Sequence, residues 1–201
     1  LFDSGSFLRL DEPESLGATA SGAAFATTTG DIVEVTCYGP GVFRVRAGPN
    51  ARPDYGLVVG RAKACETRRG EDGRWTFAAG DTTLEFAGAP LRLTLRHRGA
   101  AVLSSITDEH FRGWTRLPSL ARTRHGGQWI AAFALASGEP VYGLGEKFGP
   151  LNKRGQLIHS RVEDALGVNT GLAYKNAPFA WGPGTGGGAW GVFVNTPGMV
   201  T

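Results

Sequence analysis

Ile32-Val-Glu-Val-Thr36, the turn Tyr38-Gly-Pro-Gly41 and Val42-Phe-Arg-Val-Arg46 form one run in which apolar and polar side chains alternate, stop at a glycine-proline turn and alternate again. In an extended backbone successive side chains point to opposite faces, so a period of two predicts strands with one face on a core and one in solvent. The intervening turn makes the pair a hairpin. Shorter runs of the same kind follow at Trp75–Phe77, Thr83–Phe86 and Leu91–Arg96, bounded by turns such as Glu71-Asp-Gly73 and Gly88-Ala-Pro90. In Leu91–Arg96 the leucines occupy one face and Arg92, Thr94 and Arg96 the other, the pattern of a half-buried antiparallel strand. Gln128–Ala136 is more continuously apolar and ends at Ser137-Gly138. It reads as a strand buried on both sides, with a short helix as the alternative that its alanines leave open. Val141–Leu144 and Trp190–Asn195 complete at least eight strands, and their spacing predicts an all-β, antiparallel β-sandwich.

Composition agrees with that class. The 201 residues are 41% hydrophobic, enough for one substantial core. The 31 glycines and 11 prolines punctuate the chain at short intervals, which suits strands and turns rather than long helices. Residues 1–30 are rich in Ala, Gly, Ser and Thr, and Ala18–Ala26 has no amphipathic period. They are expected to be a lead segment or an edge strand, with residues 31–201 as the sandwich domain. Within that domain residues 149–173 have little period and much polarity and form a long loop, a place where function or mobility is common.

Several function classes are excluded or disfavoured. The net charge of +3 is spread out, its densest basic spots being Arg122 with Arg124 and Arg96 to Arg98; no basic stripe marks a nucleic-acid partner. No run of about 18 apolar residues marks a membrane span, and Leu1–Leu10 lacks the blocks of a signal peptide. Cys37 and Cys65 are too few for a disulfide framework and have no metal-ligand spacing, so they read as buried thiols in a reducing, cytoplasmic setting. Gly143-Leu-Gly145 is followed by Phe148 where a nucleotide-binding loop needs its third glycine, and Gly184–Gly188 has no Lys-Ser/Thr pair. The four histidines are far apart, and no Gly-x-Ser-x-Gly elbow is present. No metal, no organic cofactor and no catalytic residue is assigned.

Three segments carry a family resemblance. Val141-Tyr-Gly-Leu-Gly-Glu-Lys-Phe-Gly-Pro-Leu-Asn-Lys-Arg-Gly-Gln156, Tyr174-Lys-Asn-Ala-Pro-Phe179 and Trp190-Gly-Val-Phe-Val-Asn-Thr-Pro197, in this order, resemble the end of the N-terminal β-sandwich domain of glycoside hydrolase family 31, the α-glucosidases and α-xylosidases. The resemblance implies a galactose mutarotase-like supersandwich beside a catalytic (β/α)8 barrel that is absent from this chain. The chain stops at Thr201, where that family still needs its barrel, so it reads as part of a larger hydrolase and as inactive alone. The family's nucleophile and general acid are barrel aspartates and have no counterpart here. The Gly-Glu-Lys-Phe-Gly-Pro-Leu-Asn-Lys form leans toward the α-xylosidase branch.

The resemblance also implies a site. In that family the sandwich sends a loop over the barrel mouth, corresponding here to about Asn152–Ala173. The acidic residue that follows Trp-Asn-x in the α-xylosidase branch matches Asp164, although Arg161-Val-Glu163 stands here in place of Trp-Asn-x. Asp164 and Glu163 are therefore expected at the substrate, Glu163 having a solvated loop charge as its alternative. Tyr174 and Trp181 are expected to stack on sugar rings; like Phe179 and Trp190, they equally fit core or domain-interface positions. The implied partners are an α-linked oligosaccharide, met through the complete enzyme, and the chain's own catalytic barrel. An unpaired edge after Val194 or an uncovered apolar interface would make the chain a homo-oligomer. Two rivals remain: an autonomous carbohydrate-binding module, marked by a row of aromatics on one sheet face, and a mutarotase-like aldose epimerase using Glu146 and His159 as its acid and base.

Overall fold

Period-two alternation is realised as strands along the chain. The computed structural model describes residues 7–11, 14–48, 55–107, 110–112, 115–116, 118–125, 127–162, 175–184 and 187–201. Two compact units are present, Leu1–Pro53 with Gly60–Ala134, and Asp54–Val59 with Leu135–Thr201. No helix occurs among the described residues, so none is long and apolar enough to cross a membrane.

The first unit begins with β1 (Phe7–Arg9), β2 (Glu14–Thr19), β3 (Gly22–Ala26), β4 (Ile32–Gly39) and β5 (Val42–Gly48). It continues through β6 (Glu66–Arg69), β7 (Trp75–Ala79), β8 (Thr82–Ala87), β9 (Arg92–His97) and β10 (Ala100–Ser105). It ends with β11 (His110–Arg112), β12 (Thr115–Arg116), β13 (Leu120–Thr123), β14 (Trp129–Ala131) and β15 (Phe133–Ala134). A four-stranded sheet runs β2-β3-β4-β5 and a six-stranded sheet β15-β10-β9-β8-β7-β6, with β1-β13-β14 and β11-β12 as smaller sheets. Every strand pair is antiparallel.

Register explains the core. Directly paired residues share a face, and Phe25 pairs with Val33 and Val35 with Val45 in the four-stranded sheet. In the six-stranded sheet Trp75 pairs with Phe86, Phe77 with Leu84 and Leu84 with Leu95. The two apolar faces meet in one cluster that includes Leu10, Phe25, Val33, Val35, Phe77 and Phe86. Phe25 is its hub: its ring stacks on Phe86 at 4.8 Å and meets Trp75 edge-on at 5.1 Å and Phe77 at 6.4 Å. Burying each such ring contributes roughly 2–3 kcal/mol, and the ring pairs add about 1 kcal/mol each. The antiparallel β-sandwich expected from the sequence is the fold observed.

Within residues 1–30, β2 is the exposed edge of its sheet while β3 lies inside it and carries fully buried Phe25. The run Gln128–Ala136 is neither a strand buried on both sides nor a helix. It breaks at Ala132, so that β14 pairs with β13 and β15 with β10. Ala132 is buried at the break, its amide donating to Ser119 O at 2.9 Å and its carbonyl accepting from Ile106 N at 3.1 Å. Trp129 before it is exposed. A run of small side chains marks burial poorly, and here it marks a crossing from one sheet to another.

Candidate functional site

The second unit is built on a three-stranded antiparallel sheet of β16 (Tyr142–Gly143), β17 (Phe179–Pro183) and β18 (Ala189–Phe193), in that order. Tyr142 pairs with Trp181, Trp181 with Gly191, and Phe179 with Phe193. Paired residues share a face, as do residues two apart on one strand. Tyr142, Phe179, Trp181 and Phe193 therefore lie on one face. The Tyr142 and Trp181 rings are 4.9 Å apart, and Phe179, Trp181 and Phe193 remain 43%, 42% and 46% exposed. Gly191 makes room for this row: a Cβ there would come within 2.8 Å of the Phe179 ring. Trp190 takes the opposite face, where it is buried and its Nε1 donates to Glu139 Oε1 at 2.6 Å.

The Tyr142-Gly-Leu-Gly-Glu146 segment owes its composition to backbone approach. Gly143 has φ +97° and Gly145 φ +80°, values that favour glycine. A Cβ at Gly143 would collide with Phe179 O, and one at Gly145 with Lys175 O. The gain is two main-chain bonds, Leu144 N to Phe179 O and Glu146 N to Lys175 O, both 2.8 Å. These tie the first motif to the second, Tyr174–Phe179, across about 30 residues of sequence.

Side chains of the same motifs fasten the chain that follows. Lys147 Nζ donates to His159 O at 3.0 Å and to Asn176 Oδ1. Burial pulls the Lys147 ammonium below the usual lysine range, and the like charge of Lys153 adds to the effect. Lys153 is itself buried, with its Nζ on Pro150 O at 2.7 Å. Asn152 Oδ1 accepts from Val141 N at 3.1 Å and Arg154 N at 3.0 Å, and Arg154 Nη1 donates to the carbonyls of Ala136 and Glu139. The turn before β16 and residues 147–160 thus form one hydrogen-bonded assembly.

Of the site residues expected from sequence, Trp181 stands on the aromatic face; Glu163, Asp164 and Tyr174 lie outside the described residues. Trp190 is buried on a carboxylate and is unavailable as a stacking platform. Glu146 is exposed and makes no hydrogen bond or ion pair with His159, whose Nδ1 instead meets Thr201 Oγ1 at 3.0 Å. An epimerase acid-base pair is not assembled there. Sequence reasoning passed over Lys147, Asn176 and Glu139. The first two stand inside the quoted motifs, and their pairing was signalled only by the two motifs occurring together. Among the described residues no group of three or more His, Cys, Asp or Glu is placed to hold a metal ion.

Residues 32–201 match the model of the glycosyl hydrolase 31 N-terminal galactose mutarotase-like domain. The chain belongs to that family. An α-xylosidase of Emericella nidulans is 45% identical to this family 31 domain over 75 residues, which are 37% of the domain chain and 9% of the xylosidase. Among solved structures, a family 31 dextranase of Flavobacterium johnsoniae complexed with glucose superposes with a TM-score of 0.65 at 17% identity, covering 87% of this chain and 22% of the dextranase. The cycloalternan-forming enzyme of Listeria monocytogenes, in complex with a pentasaccharide substrate, gives 0.67 at 17% identity, covering 88% of this chain and 17% of that enzyme. The chain thus spans less than a quarter of the length of each of these relatives, and the structural likeness is one of fold.

Proposed function

We propose that this domain is the non-catalytic N-terminal part of a retaining α-glycosidase, of the α-xylosidase or α-glucosidase type, that packs on a catalytic barrel and contributes part of its carbohydrate-binding rim. The observation that carries the packing role is the aromatic face of β16–β18. Three large rings on one small sheet, each more than two-fifths exposed, are a surface of the kind that marks an interface. Leu151 and Leu157, exposed at 83% and 74%, extend the uncovered apolar area of the same unit. The rim role is supported by the family resemblance of residues 152–173, where Asp164 can accept hydrogen bonds from sugar hydroxyls with two oxygens. Hydrolysis itself needs two carboxyl groups across the scissile bond, and these are assigned to the barrel.

The packing role is tested by Phe179→Ser combined with Phe193→Ser. In the isolated chain both rings are already nearly half exposed, so the melting temperature is expected to fall by no more than about 4 °C. In the full-length enzyme the same pair is expected to lower it by roughly 5 °C or more, since buried rings would be lost from an interface. Equal shifts in both would sink the packing role. The rim role is tested separately by Asp164→Ala, expected to raise KM or lower kcat in the full-length enzyme; unchanged kinetics would remove Asp164 from the site. The same aromatic face gives the module reading its one supporting observation, an exposed aromatic row.

A further inference from the structure

Cys37 and Cys65 are both free thiols, Cys37 buried near the end of β4 and Cys65 half-buried just before β6. Main-chain bonds bring them together. Cys37 N donates to Ser21 O at 2.8 Å, Lys63 N donates to Cys37 O at 2.8 Å, and Cys65 N donates to Ala20 O at 3.0 Å. An antiparallel strand directs the N–H and C=O of one residue to the same side. Residues 63–65 therefore take over beside β4 where β3 gives way to the β2–β3 turn. There the two cysteines come near enough for Cys37 to bear on the titration of Cys65. Cys37 Sγ also donates to Gly39 O at 3.5 Å, and Cys65 Sγ lies 3.6 Å from Thr67 Oγ1. Two thiols brought near each other by these main-chain bonds on neighbouring segments suit covalent joining rather than a closed metal centre, which needs more ligands.

We infer that Cys37 and Cys65 form a thiol–disulfide site that takes a small-molecule disulfide as its oxidant. Cys65, the accessible member, loses its proton to solvent and its sulfur attacks one sulfur of the oxidant. The oxidant's S–S bond breaks, one thiolate leaves and is protonated, and a mixed disulfide remains on Cys65. Cys37 then loses its proton and attacks the Cys65 sulfur, forming the internal S–S bond and expelling the second thiol. Two protein thiols are oxidised and one disulfide is reduced to two thiols, so electrons and protons balance. Burial, foremost, raises the Cys65 thiol above its ordinary range, with Thr67 opposing and Cys37 reinforcing the shift. The first step is therefore slow at neutral pH and accelerates as the thiolate forms. The product closes the chain between residues 37 and 65 and pins the entry to β6 onto β4.

The test is to incubate the full chain with glutathione disulfide at pH 7 and pH 9, block remaining thiols with iodoacetamide in denaturant, and map peptides by mass spectrometry. The expected product is a Cys37–Cys65 cross-linked peptide, reversed by dithiothreitol and formed up to roughly a hundredfold faster at pH 9. Cys37→Ala is expected to stop the reaction at a glutathione adduct on Cys65, and Cys65→Ala to leave Cys37 free until the protein is unfolded. Recovery of both cysteines alkylated after prolonged exposure at pH 9 would overturn the inference. So would a glutathione adduct that persists on wild-type Cys65, or cross-links found only between chains.

Discussion

Phe25 concentrates the cohesion of the first unit in one side chain, since three aromatic rings from the opposite sheet converge on it. Phe25→Ala is expected to cost about 3–5 kcal/mol, read as a fall in the urea midpoint with the slope unchanged. Its place was hard to read because it stands among alanines and threonines whose small side chains give no contrast between faces. A second residue-scale feature was hidden by distance. Arg122, read as half of a basic spot, donates from Nε to Asp31 Oδ2 at 2.7 Å across 91 positions. Asp31 is buried and also accepts from Thr29 Oγ1 at 2.6 Å. Arg122→Ala leaves that carboxylate short of its charged partner and is expected to cost about 3 kcal/mol. Arg122→Lys should recover only part of the loss, because the ammonium cannot reproduce the bonds that Arg122 also makes to Thr29 O and Thr123 O. Paired denaturation curves of the two variants check both statements.

At the scale of elements, β4 and β8 were legible because burial follows the same period as the backbone, whereas β5 and β9 keep the alternation in sequence while being half-buried along most of their length. β14 and β15 were not legible, because nothing in a run of alanines shows where a chain leaves one sheet for another. The β16–β18 sheet was legible as a set of motifs, but the reason for its glycines is non-local. Gly143→Ala would drive a Cβ into Phe179 O at a positive φ, and is expected to remove amide-exchange protection at Leu144 while leaving β7 and β8 protected. Lys147 makes the stability of the same assembly depend on pH in the alkaline range. Its folded-state pKa lies below the ordinary lysine value of 10.5, by burial first and Lys153 second. Between those two values the unfolded chain binds more protons than the folded one, so stability rises with pH across that window. In Lys147→Met this rise is expected to disappear, and the difference between the two proteins' unfolding free energies from pH 8 to 11 measures it.

Over the whole molecule, strand class came from periodicity and family from motifs, whereas the grouping of Asp54–Val59 with Leu135–Thr201 in one unit joins segments that no local pattern connects. That grouping bears on whether sugar recognition belongs to this chain alone. A carbohydrate site combines a stacking ring with converging polar groups in a place that excludes water. Phe179, Trp181 and Phe193 supply rings in the open, while the carboxylates proposed for sugar hydroxyls, Glu163 and Asp164, belong to a segment whose contacts the family resemblance completes with a barrel. Open stacking alone, without paired hydrogen bonds, gives little affinity against water. Calorimetric titration of the 201-residue chain with isoprimeverose, maltose and xylose is therefore expected to show no heat above dilution. Binding at millimolar strength or tighter, abolished by Trp181→Ala, would instead make the aromatic face a self-sufficient sugar platform and transfer the rings from interface to recognition.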